Sequence, residues 1–137
     1  MAKRTAATRT GYSETHLARR FIFTGTYTSC LAADIIPLEF GAGAKSARIL
    51  SVRVTTTAAA TTVTPALYDA ESSGVAVAAN LTGGLTWGST TPGLVFVAPT
   101  EAHGSVVGLD ADGILYLKPT PDATATVIIQ VIAEREA

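Results

Sequence analysis

The residues of this 137-residue chain that could do chemistry are two histidines, one cysteine and a scatter of carboxylates. Hydrolysis through a nucleophile needs a base beside it and a stabiliser for the developing charge. His103 lies in Ala102-His103-Gly104-Ser105 and His16 in a basic N-terminal stretch, and neither belongs to a Gly-x-Ser-x-Gly turn. Both read as solvated histidines; a small hydrolase is a reading only if His103 and a carboxylate share a pocket. Cys30 reads as a small buried hydrophobe, because nothing near it in sequence supplies a histidine partner. Asp110-Ala111-Asp112-Gly113 has the opening of a calcium loop, but Leu115 and Leu117 follow where further oxygen ligands should stand. A hairpin turn, in which Asp and Gly tolerate positive φ, explains the same four residues. Gly41-Ala42-Gly43-Ala44-Lys45-Ser46 lacks the spacing of a phosphate loop and precedes a strand instead of a helix. No spacing pairs two of Asp69, Glu71, Glu101 and Asp110 for glycosidase work. Trp87, with Tyr68 and Tyr116, is the one aromatic set that could stack a sugar ring, although a core or rim position is the commoner fate of a single Trp. The expectation is therefore a protein that is not an enzyme, with no catalytic residue, no metal ligand and no cofactor. A carbohydrate-binding, lectin-like module is the alternative of a different class.

The elements that would position these residues are β-strands. The chain has 47% apolar and 15% charged residues, and its apolar content is mainly Ala and Val with abundant Thr. Such a composition favours strands over a helical bundle, and its charge is too sparse for a disordered chain. One cysteine excludes an intramolecular disulfide framework. Met1-Ala2-Lys3-Arg4 is followed by polar residues instead of an apolar run, and no apolar stretch approaches 18 residues. The reading is a soluble chain made in a cytosol, without a membrane partner.

Residues 1–19 read as an extended N-terminal arm, with a short helix near 13–19 that Ser13 could cap. Residues 20–137 read as one domain. Strands are expected at 20–30, 35–40, 48–56, 63–68, 75–79, 85–87, 94–98, 104–109, 114–118 and 123–133, with Gly, Pro, Asn or Asp between most of them. In 48–56, Leu50, Val52 and Val54 should face one way and Ser51, Arg53 and Thr55 the other. Eight to ten short strands without helical patterns predict an all-β fold, an antiparallel β-sandwich of jelly-roll or Ig-like type.

Two features exceed what an isolated sandwich needs. Leu94, Val95, Phe96 and Val97 run together, and Ile128 and Ile132 interleave with Val127, Ile129 and Val131, so these strands are apolar on both faces. Charge is also split: residues 1–53 hold eight basic and three acidic residues, a net of +5, and residues 54–137 hold two and eight, a net of −6. A basic arm could thus lie on an acidic surface of its own domain or of a neighbour, with Lys3, Arg4, Arg9, Arg19 and Arg20 as anchors and Ile128 and Ile132 as apolar contacts. A formal net charge of −1 argues against a direct nucleic-acid partner.

The segment Val107-Gly108-Leu109-Asp110-Ala111-Asp112-Gly113-Ile114-Leu115-Tyr116-Leu117-Lys118-Pro119-Thr120-Pro121-Asp122-Ala123-Thr124-Ala125-Thr126-Val127, in Ala/Thr/Val-rich surroundings, resembles small virion proteins of tailed bacteriophages, including head decoration (cement) proteins. The resemblance covers about a fifth of the chain and brings no catalytic residue. It implies a β-sandwich on the outside of a capsid, assembled in the host cytoplasm. There it would form a homo-oligomer, a trimer being one form, and clamp adjacent major capsid subunits or other virion subunits. A tail, collar or head–tail joining component is a close variant. Deleting residues 2–12 should, on this reading, weaken assembly and leave the sandwich folded.

Overall fold

The structure, a computed structural model, describes residues 3–14, 18–56, 62–68, 70, 76–78, 85–86, 93–97 and 106–135. Its elements in chain order are strands: β1 (Thr8–Glu14), β2 (Ala18–Cys30), β3 (Ile36–Glu39), β4 (Ser46–Thr56), β5 (Thr62–Val63), β6 (Ala66–Tyr68), β7 (Ala76–Ala78), β8 (Leu85–Thr86), β9 (Gly93–Val97), β10 (Val106–Gly108), β11 (Ile114–Lys118) and β12 (Ala125–Arg135). A six-stranded sheet runs β1-β2-β12-β4, and β4 then pairs β10 through residues 46–48 and β9 through residues 52–56. A four-stranded sheet runs β3-β11-β6-β7, and β5 pairs β8 separately. Neighbouring strands are antiparallel throughout these sheets. The expected antiparallel, all-β architecture is what the chain forms.

Alternation decides what is buried. Phe21, Phe23 and Tyr27 of β2, Val52 and Val54 of β4, and Val127, Ile129, Val131 and Ala133 of β12 turn inward from the larger sheet. Ile36 and Leu38 of β3, Leu67 of β6, and Leu115 and Leu117 of β11 meet them from the smaller sheet in one apolar core. At one end three rings close that core: Phe40 lies edge-on to Phe23 at 5.0 Å and to Phe21 at 5.8 Å between centroids. Such pairs add to burial because a positive ring edge meets a negative ring face.

Two bulges set the register. Ile49 pairs with Ala133 and Ser51 with Ile132, so Leu50 is an extra residue on β4. The expected face of Leu50, Val52 and Val54 is therefore wrong at its first member: Ile49 is fully buried and Leu50 only half-buried. Single-residue alternation cannot anticipate a strand that gains a residue midway. Near the end of β2, Tyr27 pairs with Val127 and Cys30 with Ala125, and Ser29 takes a left-handed φ of 51° to absorb the surplus residue.

The N-terminal residues also depart from expectation. Residues 3–14 are not an arm lying apart from the sandwich. Lys3 bridges Ile35, the Arg4 and Ala7 amides donate to the Ile35 and Pro37 carbonyls, and residues 8–14 form β1 along β2. The segment thus crosses from the edge of the smaller sheet to the edge of the larger one. The boundary expected at residue 20 falls inside β2, which begins at Ala18, so residues 13–14 and 18–19 are strand where a helix was expected. The polar Thr/Arg alternation carried no apolar period, and only the edge backbones of β2 and β3 reveal why it is ordered.

The β10–β11 turn packs against the loop after β3. The Phe40 amide donates to the Gly113 carbonyl at 2.9 Å, and Gly113 has a φ of 75°. A Cβ on Gly113 would overlap the carbonyl oxygen of Gly41. Gly113→Ala should therefore cost about 2 kcal/mol or more, from left-handed strain and displaced backbone together, read as a lower urea midpoint at unchanged slope. A Gly113→Ala protein as stable as the parent would contradict this packing.

Candidate functional site

The first cluster built around predicted anchor residues lies where the N-terminal segment meets the end of β2. Arg4 donates from Nη1 to Asp34 Oδ2 at 2.9 Å and from Nη2 to the Thr28 carbonyl at 2.9 Å, and its guanidinium lies over the Tyr27 ring at 5.5 Å. Tyr27 in turn donates its hydroxyl to the Thr5 carbonyl at 2.9 Å. Asp34 is 2% exposed and its Oδ2 also accepts the Leu31 amide, while its buried Oδ1 has no hydrogen-bond partner. Burial pushes the neighbouring Cys30 thiol up to about 11 and the Tyr27 hydroxyl up to about 12. A protonated, enclosed thiol is a poor nucleophile. This cluster is a latch between segments, and Arg4 is already engaged in it.

The second cluster is the turn at residues 110–113. Asp110 Oδ1 accepts the Asp112 and Ile114 amides, and its Oδ2 accepts the Tyr116 hydroxyl, each at 2.9 Å. The carboxylate therefore serves its own hairpin, as the turn reading of these residues anticipates. Beside it opens a surface cleft of about 440 Å³ lined by Ala7, Arg9, Glu39, Gly41, Asp112 and Ile114, among others. Arg9 is fixed at the cleft margin: its guanidinium sits 5.0 Å over the Phe21 ring and Nη1 donates to the Glu39 carbonyl at 3.1 Å. Among the described residues, no three His, Cys, Asp or Glu side chains gather as a metal centre would require.

The third feature is the outer face of the six-stranded sheet. Ile128 and Ile132 alternate outward along β12, with Ile128 39% exposed and Ile132 half-buried. Ile132 stands beside Ile22 of β2, and Ile128 lies between Thr26 of β2 and Thr55 of β4. Between Ile128 and Ile132 on the same face, Gln130 is placed between Thr24 and Arg53, and beyond Ile132 Glu134 is placed between Arg20 and Arg48, with Arg20 Nη2 at 3.6 Å from Glu134 Oε2. The inner face of β12 is apolar from Ala125 to Ala133, whereas the outer face carries Ile128 and Ile132 among Thr126, Gln130 and Glu134, with Ile128 exposed.

Of the predicted anchors, Arg4, Arg9 and Arg20 thus make contacts within their own chain, Lys3 is exposed on its bridge to Ile35, and Arg19 occupies the β2 position opposite Ser13 and Arg135. Tyr68 and Tyr116 are cross-strand neighbours, but Tyr116 is 5% exposed and leaves almost no ring face for a sugar. Trp87, His16 and His103 lie outside the described residues. Sequence reasoning missed Asp34, Glu39 and Arg48 as site-forming groups. Only the strand pairing brings Arg48 beside Glu134, whereas a lone Asp before an apolar run gave a weak local signal of burial.

No protein-family model and no curated protein matches the chain. Among solved structures it is similar to a chain in the structure of the infectious bursal disease virus Gx strain. The two share 13% sequence identity over 87% of this chain and 32% of that chain, with a TM-score of 0.44. This chain therefore spans less than a third of that chain's length in the match, and a likeness of this strength bears on neither ancestry nor role.

Two outcomes follow from the latch. Arg4→Ala should destabilise the protein by about 3 kcal/mol in urea unfolding, because it strands a buried carboxylate, and Arg4→Lys should recover part of the loss; an unchanged midpoint for Arg4→Ala would contradict it. Stability should also fall with alkali. Cys30 and Tyr27 keep their protons longer folded than unfolded, so their contribution is complete below pH 9 and is lost as pH rises through about 11 and 12. Unfolding free energies measured from pH 8 to 11 should decline, less steeply in Cys30→Ala; equal slopes would contradict the assignment.

Proposed function

We propose that the chain is a non-enzymatic structural subunit of a virion, of the capsid decoration kind, which associates with itself and with a major capsid protein or other virion subunits at the capsid surface. The observation that carries this reading is the outer face of the six-stranded sheet, where exposed Ile128 and the neighbouring pair Ile22 and Ile132 stand on either side of Gln130, with Arg20, Arg48 and Arg53 on the same face. Fully burying an exposed isoleucine side chain is worth about 1.5–3 kcal/mol, a gain that Ile128 offers most and half-buried Ile22 and Ile132 in part, and the charges beside them would orient the contact. The resemblance of residues 107–127 to phage virion proteins supports the same role.

The tying of residues 3–14 into both sheets changes how the subunit would work. Removal of residues 2–12 would strip the edge of β2 and the Arg4–Asp34 pair, so the arm is a structural part of the sandwich before it is a contact. Assembly then falls to the sheet faces. A lectin-like role has less support, since Tyr116 is buried beneath its hydrogen bond to Asp110.

Particles purified by density gradient from the cells that make this chain test the proposal. Mass spectrometry should find the chain in the particles at a copy number comparable to that of shell subunits, and antibody should label the head. Labelling confined to the tail would replace decoration with the tail-component variant, and a chain confined to the soluble fraction would overturn the virion role.

A further inference from the structure

Two guanidinium groups converge on one point at the end of the sandwich. The point lies beside Gly41, where a Cβ would stand if the residue had one. Outside the glycine and its two chain neighbours, the heavy atoms of described residues within 4 Å of that position are Arg9 Nη1 at 3.8 Å and Arg135 Nη1 at 3.9 Å. Gly41 has a φ of 110°, a left-handed conformation that strains any residue with a side chain, so the turn after Phe40 keeps the point clear.

Each arginine comes from a different strand. Arg9 belongs to β1, and its guanidinium is held 5.0 Å over the Phe21 ring while Nη1 donates to the Glu39 carbonyl at 3.1 Å. Arg135 ends β12 and continues the inward series of Val131 and Ala133. Val131 lies opposite Phe23 and Ala133 opposite Phe21, so Arg135 falls just past the three-ring cluster that closes the core, and its guanidinium reaches Gly41.

Arg4 and Arg20 have Asp34 and Glu134 as partners, whereas among the described residues no carboxylate lies within ion-pair distance of Arg9 or Arg135. Glu39 and Asp112 line the same cleft of about 440 Å³ without closing an ion pair with either arginine. Like charges brought together repel unless an anion stands between them, and guanidinium N–H groups donate strong, charge-assisted hydrogen bonds to oxyanions. We propose that Arg9, Arg135 and the Gly41 turn form an oxyanion site whose ligand is a singly charged carboxylate. Glu39 and Asp112 set the charge: they repel a dianion twice as strongly as a monoanion at the same place. The rest of the cleft, with Ala7 and Ile114 in its wall, leaves room for the body of the ligand behind its carboxylate. This site is separate from the sheet face proposed for assembly and does not depend on the virion role.

Titration of the isotope-labelled full chain tests the site through the side-chain Nε–Hε resonances of Arg9 and Arg135. The probes are acetate, N-acetylglycine and sulfate, each against chloride at equal ionic strength and at about pH 6.5, where both carboxylates are ionised. The two carboxylates should shift both resonances saturably, and sulfate should bind less tightly. Tighter binding of N-acetylglycine than of acetate would point to the terminus of a peptide as the source, and equal affinities to a free acid. Arg135→Gln should weaken acetate binding at least about tenfold. In dilute buffer without added probe it should melt no lower than the parent, because it removes one of two like charges; Arg9→Gln takes its place if it does not fold. Asp112→Asn, at an exposed turn position, should raise the affinity for sulfate more than that for acetate.

Resonances that stay unmoved up to about 0.1 M acetate overturn the proposal, as does an Arg135→Gln protein that binds acetate like the parent. A lower melting temperature of Arg135→Gln without probe would give Arg135 a structural role in place of a binding one. Sulfate binding tighter than acetate would overturn the assignment to a carboxylate.

Discussion

The pairing of β12 on both edges is the constraint on which the rest of the structure depends. It lies against β2 from Ala125 to Arg135 and against β4 from Val127 to Arg135, so its backbone groups are satisfied along nearly its whole length. Hydrophobic pattern alone fixes such a strand weakly. A slip by one residue would exchange Val127, Ile129 and Val131 for Ile128, Gln130 and Ile132. Gln130 removes the ambiguity. In the observed register it lies on the outer face between Thr24 and Arg53, whereas a slip would turn it into the core, where an unpaired amide is costly. The bulges at Leu50 and Ser29 then let the neighbouring strands keep that register to both ends.

Residues 3–14 follow from the same sheet. β2 needs a partner on its free side, and β1 supplies it, while the residues before β1 reach across to β3. Arg4 fastens this crossing by satisfying Asp34 and the Thr28 carbonyl at once, and Arg9 does so by lying on Phe21. The basic charge that dominates the first third of the sequence is thus partly consumed inside the fold.

Much of the architecture was legible. Turn residues and short apolar runs marked ten strands close to where they form, and the Asp110–Gly113 hairpin followed from its residue types alone. The isoleucines on both faces of β12 were legible too, because five of six consecutive residues there are Val or Ile. β1 was not, since an edge strand of Thr, Arg and Gly takes its order from the strand beside it and not from its own pattern. Pro65 divides what appeared as one strand over 63–68 into β5 and β6. The engagement of Arg4 with Asp34, thirty residues away, and of Arg20 with Glu134 depends on pairing across the chain, which composition and spacing do not encode.

A sandwich with a modest core that leaves isoleucines on one outer face is a shape suited to neighbours, and the face carrying Ile22, Ile128 and Ile132 is the proposed contact. Hydroxyl-radical footprinting across a concentration series measures this most directly, with Leu31, 50% exposed and off that face, as the internal reference. Ile128 and Ile132 should become protected as the protein associates while Leu31 keeps its reactivity. Association that leaves Ile128 and Ile132 as reactive as in the dilute protein would contradict the proposed contact.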